Sequence, residues 1–263
     1  MNPFLITEPT VISFSGGRTS GYMLWRVLDA NGGLPSDATV CFANTGKEEA
    51  DTLQFVQDCA TNWNIPIVWL EYRKASPKFL VVDFESASRD GLPFAELIEA
   101  KSFLPNSVMR FCTTELKINP IAKYMKSIGI DDFQTMAGIR ADEPRRLVKL
   151  RETLMAPLAA AGVNQNDVQS FWSNNGFDLG LEFRDKVTAL GNCDLCFMKG
   201  AHQIMSLIQQ QPSRAVWWAQ QEEKIGGRFS KDRPDYTAMM NFQKAQIDMF
   251  DASEESIACF CGD

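Results

Sequence analysis

Val11-Ile12-Ser13-Phe14-Ser15-Gly16-Gly17-Arg18-Thr19-Ser20 is the stretch whose reading decides the fold. Its first four residues have the β-branched and aromatic make-up of a buried parallel strand, and Gly21 to Leu28 continues on helical spacing. Between strand and helix, Gly16 and Gly17 allow positive φ and close approach of a ligand. Ser15, Thr19 and Ser20 contribute hydroxyls and Arg18 a cation, while the new helix points unpaired N–H groups at the loop. Such a junction suits an anion. It is equally an ordinary strand-to-helix turn with a hydroxyl N-cap, and the loop alone does not separate the two readings.

The neighbouring segments repeat the strand-then-polar-loop pattern. Ala38 to Ala43 reads as a second apolar strand ending in Asn44-Thr45-Gly46, and Lys47 to Asn62 as an amphipathic helix with an acidic first turn. Ile65 to Leu70 is a third strand, Glu115 to Ile128 a helix, and Phe133 to Ala137 a further strand followed by Gly138-Ile139-Arg140-Ala141-Asp142-Glu143. Strand–helix–strand alternation of this kind predicts an α/β fold with a doubly wound, mainly parallel sheet, whose ligands lie beyond the carboxyl ends of the strands. Past Glu152 the chain reads as helical and cysteine-bearing. A boundary near residue 152 therefore separates a nucleotide-binding part (1–152) from a helical C-terminal part (153–263).

The bulk properties exclude several classes. With 263 residues, 45% hydrophobic and 22% charged, the chain reads as a soluble globular protein. No apolar run reaches the roughly 20 residues needed to span a bilayer and Met1 to Thr10 lacks a secretory pattern, so a cytoplasmic location and no membrane partner are expected. A net charge of −7 gives no global attraction to nucleic acid, although Arg140, Arg145, Arg146, Lys149 and Arg151 concentrate cations in one stretch. His202, the only histidine, has no identifiable partner for a Ser-His-Asp site. Seven unevenly placed cysteines argue against a disulfide framework. Cys193 and Cys196 form a C-x-x-C pair, and Cys259 and Cys261 a C-x-C pair; two such pairs suit zinc or an iron–sulfur cluster. Cys41 and Cys59 read as core residues.

Five motifs occurring in order carry a resemblance: SFSGGRTS at 13–20, FANTGKE at 42–48, RFCTTELKINP at 110–120, GIRADEPRR at 138–146 and GNCDLCFMKG at 191–200. Together they resemble the phosphoadenosine phosphosulfate (PAPS) reductase family of the PP-loop, or adenine nucleotide α-hydrolase-like, superfamily. The resemblance implies a five-stranded, mainly parallel sheet that binds an adenine nucleotide, ATP or PAPS-type. Its site would comprise Ser13, Ser15, Gly16, Gly17, Arg18, Thr19, Ser20, Asn44, Thr45, Gly46, Gly138, Arg140 and Arg145, with Asp142 and Glu143 available to Mg²⁺ or an adenosine hydroxyl. Thr19 stands where related ATP-consuming loops, patterned SGGxDS, carry an acid. The resemblance also implies a 4Fe-4S cluster with ligands drawn from Cys112, Cys193, Cys196, Cys259 and Cys261, zinc being the alternative.

Three functions follow from it. One is ATP-dependent adenylylation coupled to sulfur transfer onto a nucleic acid or small molecule, with a sulfur donor as partner and Arg140 and Asp142 at the reacting phosphate. Another is sulfonucleotide reduction, with Cys261 as nucleophile and a thioredoxin-like reductant. The third is a non-catalytic nucleotide- or cluster-binding sensor.

Overall fold

A computed structural model describes residues 2–148, 153–184 and 187–245. Its centre is a sheet in the order β4-β3-β2-β1-β5-β6, formed by β1 (Thr10–Ser13), β2 (Ala38–Asn44), β3 (Val68–Tyr72), β4 (Phe79–Val82), β5 (Gln134–Ala137) and β6 (Leu154–Met155). The sheet thus has six strands rather than the expected five. β1, β2, β3, β5 and β6 run parallel, and the extra edge strand β4 pairs antiparallel with β3. Phe79 to Val82 (FLVV) lies in a stretch that the sequence leaves irregular, with exposed Leu80 and Val81, so no alternation of buried and polar positions marks it.

Both faces of the sheet are covered, which is why its central strands are apolar almost throughout. On one face Ile12, Val40 and Phe42 pack with Met23, Leu24 and Val27 of α1 (Arg18–Asn31) and with Leu53, Phe55 and Val56 of α2 (Ala50–Asn62). Val168 and Trp172, on the helix Gln165–Ser173, close that core. On the other face Val11, Cys41, Ala43 and Leu70 meet Ile121 and Met125 of the helix Asn119–Ser127. Adjacent residues such as Val11 and Ile12 therefore enter different cores, as the period of two in a strand requires. A third cluster joins α3 (Leu92–Lys101) to the helices Ala201–Gln210, Arg214–Ile225 and Tyr236–Ala245 around the cysteine segment. The boundary expected near residue 152 falls outside the described residues. On its far side β6 extends the sheet, and Val168 and Trp172 belong to the same core as α1.

The chain runs outward from β1 to β2 and β3 in one direction, and β5 and β6 lie in the other. The order reverses between β1 and β5, the place where sheets of this kind leave a crevice at the carboxyl ends of their strands. One close approach shapes it. Gly138, directly after β5, lies so near the first turn of α1 that a Cβ there would fall 2.9 Å from Ser20 Cα. Among the described residues, no helix is long and apolar enough to cross a membrane.

Gly138→Ala would force β5 away from α1, and we expect it to lower stability by about 1–3 kcal/mol, the usual cost of overpacking. Urea unfolding measures this; an unchanged midpoint would show that the contact gives way freely.

Candidate nucleotide and thiol site

The loop after β1 is built by its own side chains. Ser15 N–H donates to Ser20 Oγ (3.2 Å), the Ser15 and Ser20 hydroxyls are 2.9 Å apart, and Ser20 Oγ–H donates to Gly17 C=O (3.0 Å). Gly16 is the residue with positive φ (79°), and a Cβ there would lie 2.7 Å from Thr52 Cγ2. Gly17 has φ −101° and ψ 163°, extended backbone that any residue adopts. The sequence allows positive φ at both glycines; the fold uses it at the first. No side chain caps α1, which leaves its first N–H groups to a ligand or solvent.

Arg18 is anchored within the fold, yet it lines the smaller cavity at the loop, and its Nη1 is buried with no hydrogen-bond partner among the described residues. Its Nε and Nη2 form a bidentate pair with Asp178 (2.8 and 2.9 Å), and Nη2 also donates to Leu179 C=O (2.6 Å) and Leu181 C=O (3.0 Å). Its own carbonyl accepts from Trp172 Nε1 (2.8 Å). Arg18 therefore fastens 172–181 to the first turn of α1. Trp172 is correspondingly a buried packing residue.

The segment after β5 supplies another cation. Arg140 Nη1–H donates to Thr19 Oγ1 (3.1 Å), so the hydroxyl at the position acidic in SGGxDS loops holds an arginine. Arg140 Nε–H in turn donates to Asp142 Oδ1 (2.9 Å). Glu143 joins two arginines: Oε2 accepts the Arg140 backbone N–H (2.9 Å) and Oε1 the Arg146 Nη1–H (2.7 Å). Both acids proposed for Mg²⁺ are thus engaged by arginines. Arg145 is exposed, whereas Arg146 is buried.

Two cavities meet at Ser15. One, of about 50 Å³, lies over the α1 end and is lined by Ser15–Thr19, Thr52, Arg140, Gln165, Gln169 and Asn192. The other, of about 160 Å³, opens on the opposite side of the loop, between the ends of β1 and β5 and the turn Thr113–Ile121. Its walls are mostly apolar, with Ser13, Ser15, Thr113, Thr135, Lys117 and Arg146 as polar groups.

Asn44, Thr45 and Gly46 line neither of these cavities. Asn44 Nδ2–H donates to Glu71 Oε1 (2.6 Å) and Ser88 C=O (2.8 Å), and its Oδ1 accepts from Gly46 N–H (3.1 Å). Thr45 Oγ1–H donates to Glu48 Oε2 (2.8 Å) and lies 3.5 Å from Cys193 Sγ. Thr45, but neither Asn44 nor Gly46, lines a third, small cavity of about 20 Å³, together with Cys112, Cys193, Cys196, Arg110 and Lys117. Asp194, between the two cysteines, anchors the segment: its N–H donates to Lys47 C=O (2.8 Å), and its carboxylate accepts from Lys47 Nζ (3.0 Å) and Trp218 Nε1 (2.8 Å). The roles of Asp194 and Lys47 escaped the sequence reading, although Asp194 stands inside C-D-L-C and Lys47 inside FANTGKE.

Three thiols of the right type for zinc or an iron–sulfur cluster thus line one cavity with two cations beside them. Among the described residues, no group of three or more His, Cys, Asp or Glu side chains is gathered as a metal site. Cys259 and Cys261 lie outside the described residues, as do Lys149 and Arg151. Cys41 and Cys59 are buried in the main cores; burial pushes the Cys41 thiol up to about 12 and raises that of Cys59, with Asp58 adding to the latter.

Fold and site define an α/β protein with a glycine loop at the switch point of a six-stranded, mostly parallel sheet. The chain is 31% identical over 207 residues to the uncharacterized nin region protein ORF290 of Escherichia phage lambda, a match that covers 74% of this chain and 67% of that protein; it belongs to that protein's family. It is also 29% identical over 138 residues to the uncharacterized protein MJ0066 of Methanocaldococcus jannaschii, covering 52% of this chain and 24% of that one. No family model matches the chain.

Two predictions follow from the geometry. Gly16→Ala should lower the melting temperature clearly, while Gly17→Ala should leave it nearly unchanged; equal effects in thermal melts would contradict the loop conformation. Iodoacetamide labelling of the folded, metal-free protein at pH 7.5, read by mass spectrometry, should modify partly exposed Cys112 and spare Cys41 and Cys59. Early labelling of Cys41 or Cys59 would contradict their placement.

Proposed function

We propose that this chain binds an adenine nucleotide across the β1–β5 crevice, phosphates on the Ser15–Ser20 side and base in the larger cavity, and couples its chemistry to the neighbouring thiols. The observation that carries this reading is the contiguity of three cavities. Ser15 lines the first two, Thr113 and Lys117 line the second and third, and Asn192 lines the first and third. A nucleotide held at the loop would lie beside Cys112, Cys193 and Cys196. The PAPS-reductase-like motif order supports the same view, since all five motifs border these cavities or the loops that shape them.

The reaction that best fits is ATP-dependent adenylylation coupled to sulfur transfer. Backbone N–H groups of the loop and the start of α1 stabilise phosphate charge, and Arg140, oriented by Thr19 and Asp142, adds a cation beside them. An acceptor oxygen attacks the α-phosphorus, its bond to the bridging oxygen breaks, and pyrophosphate leaves. A sulfur nucleophile from a donor then displaces AMP from the activated acceptor. A 4Fe-4S cluster or zinc ion, held by Cys112, Cys193 and Cys196 with Cys259 or Cys261, would supply a place to hold that sulfur. The acceptor is a nucleic acid or a small molecule, with the Arg140–Arg146 cations available to the former.

One observation favours a second reading, sulfonucleotide reduction. Asp142 and Glu143 are engaged by Arg140 and Arg146, so arginine rather than free carboxylate surrounds the loop, an environment suited to a PAPS-type nucleotide. Cys261 would attack the sulfate sulfur, the S–O bond to the nucleotide phosphate would break and the adenosine phosphate leave, and the dithiol of a thioredoxin-like partner would release sulfite from the S-sulfocysteine while being oxidised to its disulfide.

Anaerobically purified full-length chain incubated with Mg²⁺-ATP, and separately with PAPS or adenylyl sulfate plus thioredoxin, separates the readings. Acceptor-dependent pyrophosphate release is the expected result. Sulfite release supports reduction instead, and nucleotide binding without either product leaves a sensor.

A further inference from the structure

We infer that Arg146 reads the base of the bound nucleotide, an assignment that rests on the nucleotide reading of the crevice and specifies one residue within it. Arg146 is almost wholly enclosed, its side chain 7% exposed, on the wall of the 160 Å³ cavity. One end of its guanidinium is fixed by Glu143, Nη1 to Oε1 at 2.7 Å. Its Nε–H is buried and has no hydrogen-bond partner among the described residues. A buried donor without an acceptor is costly, and a ligand that brings an acceptor to it recovers that cost on binding.

The walls state what kind of acceptor fits. Phe14, Ala43, Ile118, Ile121, Ala137 and Leu154 are apolar, so the occupant has an apolar body with a few acceptors at its edge. A purine ring is such a body: its faces are apolar, and its unprotonated ring nitrogens accept from an N–H donor. A phosphate would leave these walls facing charge. The smaller cavity, at the start of α1 with Arg140 beside it, is the better place for phosphate.

Glu143 gives the assignment a second support. Its two oxygens hold the backbone of Arg140, whose guanidinium is on Thr19 in the loop, and the side chain of Arg146 in the cavity. One carboxylate thus sets the spacing between the phosphate end and the base end of the crevice, and Arg145, exposed one residue away, takes no part. Arg146 is a specificity-determining residue, and the adjacent arginine of the sequence is not its equivalent.

Calorimetric titration of the full-length chain with AMP and, separately, with inorganic pyrophosphate tests this. Arg146→Met should weaken AMP about tenfold or more while leaving pyrophosphate affinity unchanged. Ile118→Trp gives an independent check, because Ile118 is 46% exposed at the cavity's edge and a larger ring there obstructs the cavity without entering a core. It should show the same split, and the retained pyrophosphate affinity certifies that each variant is folded. Equal loss of both ligands in Arg146→Met with the split kept in Ile118→Trp would make Arg146 a phosphate ligand and overturn its assignment to the base. AMP affinity unchanged in both variants, or wild type that binds pyrophosphate but not AMP, would overturn the base pocket itself. Wild type that binds neither ligand would overturn the nucleotide reading and this assignment with it.

Discussion

The site depends on the way Arg18 is used. It begins α1, directly beyond the two glycines, and its guanidinium turns to Asp178, Leu179 and Leu181 while its carbonyl takes the Trp172 indole. Those bonds bring the segment that follows the helix Gln165–Ser173 over the loop, where Leu179, Phe183, Thr188 and Asn192 complete the smaller cavity. One residue farther along from Asn192 is Cys193. The arginine therefore links the end of β1 to the thiols by closing the roof between them, and Arg18 and Arg140 both line the smaller cavity as cations.

Buried carboxylates set the other loops at the carboxyl end of the sheet. Glu71, fully buried in β3, accepts from Asn44 Nδ2, Ser88 N–H, Ser88 Oγ–H and Arg73 Nη2, at 2.6 to 2.8 Å. Glu48 gathers Thr45 N–H, Thr45 Oγ–H and Lys47 N–H on one oxygen. Glu222 accepts Phe229 N–H and Tyr236 N–H behind the cysteine segment, and burial raises its pKa. A carboxylate left unpaired in such places would be strongly unfavourable, so each one ties its loop to a single geometry. Tyr236 O–H, donating to Leu195 C=O at 2.6 Å, and Trp218 on Asp194 finish the frame around Cys193 and Cys196.

Local chemistry made much of the fold legible. The apolar strands β1, β2 and β5 are local signals, and they lie within a few residues of their expected places. β4 was not legible, because an antiparallel edge strand in a four-residue apolar run lacks a period that separates it from a buried turn. At the site, residue types told which segments converge, but partners did not follow from spacing. Arg18 answers to Asp178, 160 positions away, and Asn44 to Glu71, 27 positions away. Arg145 and Arg146 are indistinguishable by type; which of them is buried depends on the direction of the short turn Pro144–Leu147. Likewise Gly16 and Gly17 look alike until the packing of Thr52 against one of them is known.

The central claim is that a nucleotide lies across the junction of β1 and β5, and hydrogen–deuterium exchange of the full-length chain with and without saturating nucleotide tests it most directly. The account predicts slower exchange at Ser15–Ser20, on the loop and first turn of α1, together with slower exchange over 138–146. Exchange unchanged in both segments, with protection confined to other parts of the chain, would contradict it.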